Sequence, residues 1–307
     1  MSKKLKENLI IVIAIVLGVI YIAVPVFESA RNQKNSSQLS LETQKMCQQV
    51  LDDGTASESL KKICPDIINQ KIYDPDFYSV LADVNAFDIK NLIIVISILI
   101  FITAAYNCHG YLKQKAITNY LSRESYYKFL KRFFKTAYKS IWIMGGVTLI
   151  LLVLCIANTT TDPSFSLEQA GLVTWPSELL KQPILFCGLY LLNTILHAIF
   201  YVNLYLIVVR YVPSFFKSII LSFIFLIGGE IFIEGILSDV ILQGIFGIEY
   251  NTLLNVMNVF RFNTTYGIGP LFLSVGGVAA ISSIVVFLVY KDKEKLIFTC
   301  DKNGGRE

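Results

Sequence analysis

Long apolar blocks, separated by short polar segments, dominate the pattern of hydrophobic and polar positions along this 307-residue chain. Each block holds 17 to 26 residues with almost no charge, which is the length a helix needs to cross roughly 30 Å of hydrocarbon. The two-residue alternation of an outer-membrane β-barrel is missing. The pattern therefore predicts an all-α polytopic membrane protein. Its six predicted spans are residues 9–27, 92–109, 141–157, 184–209, 218–237 and 271–290.

The composition supports this class and excludes several others. Hydrophobic residues make up 54% of the chain and charged residues 16%, whereas soluble domains carry about 25% charged residues. A soluble enzyme, a nucleic-acid-binding protein and a disordered chain are thereby excluded. The patterns GxxxxGK[ST], HExxH and GxSxG do not occur, and the two histidines fall on different spans. We predict neither a catalytic residue nor a metal ligand, and no cofactor bound by this chain.

The distribution of Lys and Arg predicts the orientation of the spans. Basic residues gather in the N-terminal flank, in the 110–140 segment, after the fourth span and in the tail, whereas 158–182 is mainly acidic. The positive-inside rule then places both termini in the cytoplasm, in a multi-pass protein of the cytoplasmic (plasma) membrane. The first apolar run, at 19 residues, exceeds a signal-peptide core, so we expect the first span to be retained.

The predicted topology divides the chain into four regions. They are 1–27 with the first span, an extracellular helical insertion at 28–91, the spans 92–290 with a cytoplasmic amphipathic loop at 110–140, and a cytoplasmic tail at 291–307.

The extracellular insertion is predicted to contain a pair of short helices. Ser40 is positioned to cap a helix that runs to Leu51, and Ser57 to cap a second helix that Pro65 ends. The remaining stretch, 73–91, is rich in aromatic and acidic residues; it either packs on the membrane face or receives a ligand, or it is a solvated connector helix, which is the favoured interpretation. An antiparallel pair would bring Cys47 and Cys64 together, and in an oxidising exterior we predict a disulfide between them. Two buried thiols are the alternative.

The segment 118–140 has the pattern of a basic amphipathic helix. Aromatic and aliphatic residues recur every three or four positions, and lysines and arginines occupy the other side. One interpretation is an anchor on anionic lipids of the inner leaflet. The other is a docking helix that transmits the movement of a cytoplasmic partner to the spans.

Here the chain resembles the permeases of type 2 ABC exporters. Those proteins have six spans with both termini inside, and a cytoplasmic amphipathic segment between spans two and three. Their Ser-Arg pair followed by aromatic and Lys positions is similar to Tyr120-Leu-Ser-Arg-Glu-Ser-Tyr-Tyr-Lys-Phe-Leu-Lys131. The resemblance covers the topology of the whole chain but, in sequence, this loop alone. The departure is the 64-residue insertion after span one. Many members of the family have an insertion here, but of very different kinds.

The resemblance implies a separate ATP-binding subunit, which would hydrolyse ATP, and a second permease chain, identical or related. It also implies short re-entrant or interfacial helices between spans five and six, where 240–250 is too short to cross and 251–262 is amphipathic. The docking helix would then consist of Arg123, Tyr126, Tyr127, Lys128, Leu130, Lys131 and Phe134.

Two groups of polar residues fall inside the predicted spans, where lipid offers no hydrogen bonds. In span five, Glu230 and Glu234 share a face and are predicted either to line an outer vestibule for a cationic or amphipathic substrate or to cap backbone groups. In span four, five polar side chains share one face and either line a pathway or dimer seam or bond to neighbouring helices. These five are Tyr190, Asn193, His197, Tyr201 and Tyr205.

The favoured function is the membrane permease subunit of an ATP-driven exporter of a peptide, antibiotic or lipid-like substrate. The alternative is a non-transport immunity or sensor protein whose extracellular domain binds a ligand. An intramembrane enzyme is disfavoured, because the chain lacks the motifs of the known types. Membrane lipids are expected around the spans, and no nucleic-acid partner is expected.

Overall fold

A computed structural model gives the fold of the chain. It describes residues 3–53, 57–87, 89–112, 114–168, 175–232, 236, 240, 244–245, 247, 262, 264 and 267–297.

Within these residues the regular structure is helical, apart from one isolated bridge between Asp76 and Thr160. A single 3-10 turn, Tyr138–Ser140, joins helix α6 to α7 without a break. The helices are α1 Lys3–Asp52, α2 Glu58–Asn69, α3 Phe77–Phe87, α4 Ile89–Leu112, α5 Gln114–Leu121, α6 Tyr126–Ala137, α7 Ile141–Asn158, α8 Ser164–Glu168, α9 Ser177–Leu180, α10 Pro183–Tyr211, α11 Phe215–Glu230 and α12 Ile268–Tyr290.

Within the described ranges, five helical segments are long and apolar enough to cross a membrane: α1, α4, the joined α6–α7, α10 and α12. They contain five of the six predicted spans. Helix α11 begins where the fifth span is predicted but ends at Glu230, after about 24 Å at 1.5 Å per residue. The proposed re-entrant and interfacial helices between spans five and six fall mostly outside the described residues.

The outward sides of these helices are apolar. Leu273 of α12 is 80% exposed, and Phe216 of α11 is 73% exposed. Soluble monomers rarely expose apolar surface on this scale, whereas lipid tails would cover it. The chain is therefore a multi-pass membrane protein, as predicted. The exposed side of α1 alone carries Leu9, Val12, Ile13, Val16, Leu17, Ile20, Tyr21, Val24 and Phe27.

Helix α1 corrects the prediction of a separate helix starting at Ser40. One helix runs unbroken for 50 residues from Lys3 to Asp52. Ser40 caps nothing, because its hydroxyl donates to the carbonyl of Ser36 at 3.0 Å inside this helix. The absence of Gly and Pro between residues 28 and 51 is the signal that favours continuity.

Helix α2 folds back along the end of α1, as the antiparallel pair predicted. The side chain of Ser57 accepts from the backbone N–H of Leu60, so the predicted cap is confirmed. Pro65 does not end the helix, which continues to Asn69. A proline removes one backbone hydrogen bond, and here the carbonyl left over belongs to Lys61, an exposed residue. Cys47 and Cys64 lie at disulfide distance, with Cα atoms 5.2 Å apart, as predicted.

Helices α1 and α7 cross closely because each has a glycine at the contact. A β-carbon on Gly18 would lie 2.6 Å from Cγ2 of Val147, and one on Gly146 would lie 2.9 Å from Cδ1 of Ile15. Small residues let helix backbones approach in a bilayer, where packing replaces the hydrophobic effect as the driving force.

We predict that Gly18→Val lowers the stability of the bundle by about 1–3 kcal/mol, because the added methyl groups overpack this crossing. Thermal unfolding of the purified protein in detergent would measure the loss. The matched control is Gly188→Val in α10, since a β-carbon at Gly188 has no heavy atom within 4 Å. Equal melting temperatures for the two variants would contradict the prediction.

The bundle has two chemically different ends. At one end, α1 begins and α12 finishes, and the Glu7 carboxylate pairs with Lys139 at 2.8 Å. Helices α5 and α6 and the α10–α11 turn also lie there. We call this the basic end, because these segments are rich in lysine and arginine. The other end carries the α1–α2 hairpin, α3, α8 and α9, and we call it the hairpin end.

Candidate functional site

The predicted basic helix at 118–140 is divided in two in the structure. Helix α5 ends at Leu121, and α6 begins at Tyr126. Ser125 makes the new start, because its hydroxyl accepts from the N–H of Lys128 at 3.5 Å. A serine at the N-cap satisfies a helix donor that has no intrahelical partner, so this local signal overrides the continuous amphipathic pattern.

The apolar side of α6 packs on the bundle instead of facing outward. Phe129 and Phe133 are fully buried. The ring of Phe133 lies 6.1 Å from that of Tyr111 on α4 and 5.6 Å from that of Tyr290 on α12. The hydroxyl of Tyr126 donates to the carbonyl of Tyr290 at 2.6 Å. Protein therefore covers the face that the lipid-anchor interpretation assigns to the membrane.

The opposite side of α6, together with the turn before it, forms an exposed surface, which we call the basic face: Arg123, Tyr127, Lys128, Lys131 and Lys135. Tyr127 is 74% exposed. The neighbouring Arg132 is also exposed, at 44%, but it pairs with Glu124 and lies 5.0 Å from the centre of the Tyr120 ring.

The seven residues predicted to form the docking helix therefore divide into two groups. Four of them, Arg123, Tyr127, Lys128 and Lys131, lie on the basic face. Tyr126, Leu130 and Phe134 are partly buried and pack against the core. The first group is available to a partner, and the second fixes α6 to the spans.

The five polar residues predicted on span four all lie inside the bundle. The structure brings them together along the buried side of α10, where none of them is more than 6% exposed. Within this set, the ring of Tyr190 lies 5.7 Å from that of Phe262, and Nδ1 of His197 is 2.9 Å from the carbonyl of Asn193. A dimer seam through them would need α10 to leave its neighbours. The five are Tyr190, Asn193, His197, Tyr201 and Tyr205.

Asn203, which lies off that predicted line, connects three parts of the bundle through hydrogen bonds of its side chain. Its amide donates to the hydroxyls of Ser282 and Ser283 on α12, both at 2.9 Å. Its carbonyl oxygen accepts from the hydroxyl of Tyr138, in the turn between α6 and α7. One buried side chain thus joins α10, α12 and the turn between α6 and α7. An asparagine within a long apolar run was the signal in the sequence.

We predict that Asn203→Leu lowers the free energy of unfolding by about 2 kcal/mol, since three interhelical hydrogen bonds are worth roughly 0.6 kcal/mol each in a membrane. A double-mutant cycle with Tyr138→Phe, followed by thermal unfolding in detergent, would check it. The two losses should be less than additive, because both changes remove the same bond. Full additivity would contradict the contact.

At the hairpin end, α3 corrects the prediction of a solvated connector. Phe77, Tyr78, Val80 and Leu81 are all fully buried. Burial raises the pKa of Tyr78, whose hydroxyl donates to the carbonyl of Leu180 at 2.5 Å. The mixture of acidic and aromatic residues looks solvated, but two of the acids, Asp76 and Asp83, accept hydrogen bonds from neighbouring segments.

Asp76 is the centre of that arrangement. Its carboxylate accepts from the N–H of Ser79 at 2.8 Å, and from the N–H and hydroxyl of Ser166 at 2.9 and 2.7 Å. Asp83 similarly accepts from Ser29 at 3.1 Å and from Gln33. These carboxylates tie α3 to α8 and to α1, and so fix the base of the hairpin.

We predict that Asp76→Asn loosens this end by about 2 kcal/mol, because an amide cannot accept all three bonds and hydrogen bonds to a charged group are worth about 1.5–3 kcal/mol. Amide hydrogen exchange over residues 77–87 and 160–168 should accelerate. Asp74→Asn is the control, as Asp74 is exposed. Unchanged exchange in the Asp76 variant would contradict its role.

The predicted outer vestibule receives no test. Helix α11 ends at Glu230, and Glu234 lies outside the described residues. In the part of the chain that the structure describes, no group of three or more His, Cys, Asp or Glu residues could hold a metal ion.

Comparisons with known proteins add no family. No protein-family model matches the chain, and no similar protein is found among curated sequences or among solved structures.

Proposed function

We propose that this chain is the permease subunit of an ATP-driven exporter in the cytoplasmic membrane. It moves a peptide, antibiotic or lipid-like substrate, and a separate subunit hydrolyses the ATP. The chain crosses the membrane six times, with α11 in the fifth crossing and both termini in the cytoplasm. Two such chains, identical or related, form the pathway.

The observation that carries this proposal is the two-sided character of α6. A helix that transmits force needs a surface for its partner and a firm attachment to the parts that move. The basic face offers exposed cations around Tyr127, while Phe129 and Phe133 are locked between α4 and α12. A purely lipid-bound helix has no need of the second property.

The contacts of α6 lead to the spans by two short routes. Tyr126 bonds to the end of α12 through Tyr290, and the turn after α6 reaches α10 and α12 through Asn203. A partner that pushes on α6 would thus act on the helices whose polar residues fill the interior.

The charge at the basic end supports the orientation. Positive charge near membrane helices is retained in the cytoplasm, and the ATP-binding subunit must dock there. This end carries Lys6, Arg123, Lys128, Lys131, Arg132, Lys135, Lys139, Arg210, Lys217, Lys291, Lys293 and Lys295.

Affinity purification of the tagged chain from its native membranes tests the proposal. We expect an ATPase with a Walker-A motif at roughly equal molar amount. In the double variant Tyr127→Ala/Lys131→Glu, recovery of that ATPase should fall about tenfold, as expected for loss of an aromatic hot spot and a paired charge. Both side chains are exposed, so insertion and melting temperature should not change.

The matched control is Tyr211→Ala. Tyr211 is 60% exposed at the same end of the bundle, at the end of α10, and its loss should leave ATPase recovery unchanged. Absence of any ATPase from the wild-type preparation would overturn the proposal. An equal loss with Tyr211→Ala would show that α6 is not the docking site.

The second candidate is an immunity or sensor protein, favoured by the α1–α2 hairpin. A single stiff helix that passes from the bilayer into a disulfide-linked hairpin could transmit ligand binding inward. In that case the hairpin would bind a ligand of its own, and purification would bring no ATPase.

A further inference from the structure

The α1–α2 hairpin carries apolar side chains that its own fold does not cover. Leu39 is 64% exposed and Met46 57% exposed on α1, and Leu60 is 42% and Ile63 53% exposed on α2. Isolated exposed apolar residues are ordinary, so what matters is whether these four share one side.

The disulfide fixes which side each residue takes. Cys47 and Cys64 face each other across the antiparallel pair. In antiparallel helices, the residue before each facing position points to the same side of the pair, since each residue turns 100°. Met46 and Ile63 are those residues. Leu39, seven positions before Met46, lies above it on the same side. We call this side the hairpin face.

Leu60 completes the hairpin face, three residues before Ile63. Leu41 does not belong to it: this leucine lies two residues, or about 200°, from Leu39 and is 44% exposed on the other side. The hairpin therefore has a one-sided apolar surface and one apolar residue suited to serve as a control.

Lipid tails do not account for this face. The exposed apolar side of α1 within the membrane ends at Phe27, and Glu28 follows. Leu39 and Met46 lie 12 and 19 residues beyond Phe27, which is about 18 and 28 Å along the helix. The bonds from Asp83 to Ser29 and Gln33 fix the direction in which the helix leaves the bundle.

We propose that the hairpin face binds the hairpin face of a second copy of this chain, so that two hairpins form a four-helix contact outside the membrane. This contact deepens the proposed function, in which two chains form the pathway. It rests on that function for the expectation that two chains pair, and on the exposed residues for the surface through which they do so.

Charge favours a second copy over a partner of one sign. Residues 31–70 contain five basic and five acidic residues, so the hairpin offers no net field to a strongly charged ligand. A second copy supplies the same balanced mixture, so pairing two hairpins brings no excess of one charge together.

Position in a shared membrane favours the same partner, although the face is small. The face is about 18 Å by 20 Å, or about 360 Å², from the length of α2 and the width of two helices. That is less than half of the roughly 800 Å² per partner in a stable soluble complex. Two copies in one membrane are already concentrated, and their unbroken α1 helices carry both faces to the same height, so a small contact suffices.

Photo-cross-linking in intact membranes tests the contact. Two differently tagged copies of the full chain are co-expressed, each with Met46→benzoylphenylalanine or each with Ile63→benzoylphenylalanine. Illumination should give a product of twice the chain mass that carries both tags. The same residue in Leu41→benzoylphenylalanine should give little or none of this product. Cross-links only to lipid, only to another protein, or equally from position 41 would overturn the proposal.

A second measurement does not depend on the photochemistry. Recovery of one tagged copy with the other should fall about tenfold in Met46→Glu/Ile63→Glu, because four charges then meet in an apolar contact. Leu41→Glu should leave recovery unchanged, and unchanged recovery in the double variant would overturn the proposal. Co-purification of an ATPase with the chain is measured separately, as described above for the basic face. Loss of the ATPase with an intact cross-link sinks only the proposed function, and the reverse result sinks only the hairpin contact.

Discussion

The constraint that orders this molecule is the inability of lipid to form hydrogen bonds. Each polar side chain in a span must find a protein partner or turn to an enclosed interior. Helix α10 carries most of them, and it occupies the middle of the bundle, with α4, α7, α11 and α12 around it. Helices α1 and α12, whose spans are almost purely apolar, present the broadest surfaces to the outside. Among the described spans, the one with the most polar side chains is thus also the most buried.

The same constraint explains which parts of the structure the sequence reveals. Helices over five of the six predicted spans follow from apolar run length alone. The Cys47–Cys64 pair could be predicted because residues 28–91 contain no other cysteine. The buried side of α10 also follows, since three- and four-residue spacing places its five polar residues together. Such features depend on residues close in sequence or on composition, which a single chain displays directly.

The features that could not be predicted from the sequence depend mostly on contacts between residues far apart along the chain. The 28–51 segment looks soluble, and only the absence of helix breakers distinguishes a continuation of α1 from a new helix at Ser40. Asp76 looks like a solvated acid until Ser166, ninety residues later, satisfies it. The apolar side of α6 has the pattern of a lipid-binding helix, and the aromatic residues that cover it come from α4 and α12. Periodicity shows that a face is apolar but does not show what covers it.

The length of α1 has a mechanical consequence. From Phe27 to Asp52 the helix extends about 37 Å beyond its apolar run, so a tilt of about 10° in the span displaces the tip by about 6 Å. The hydrogen bonds of Ser29 and Gln33 to Asp83 join α3 to α1 just beyond Phe27, so α3 would move with this part of α1. Small rotations inside the bilayer would therefore emerge as large sideways excursions on the far side. The length of α1 beyond Phe27 would thus magnify a small tilt of its apolar part into a larger displacement of the hairpin.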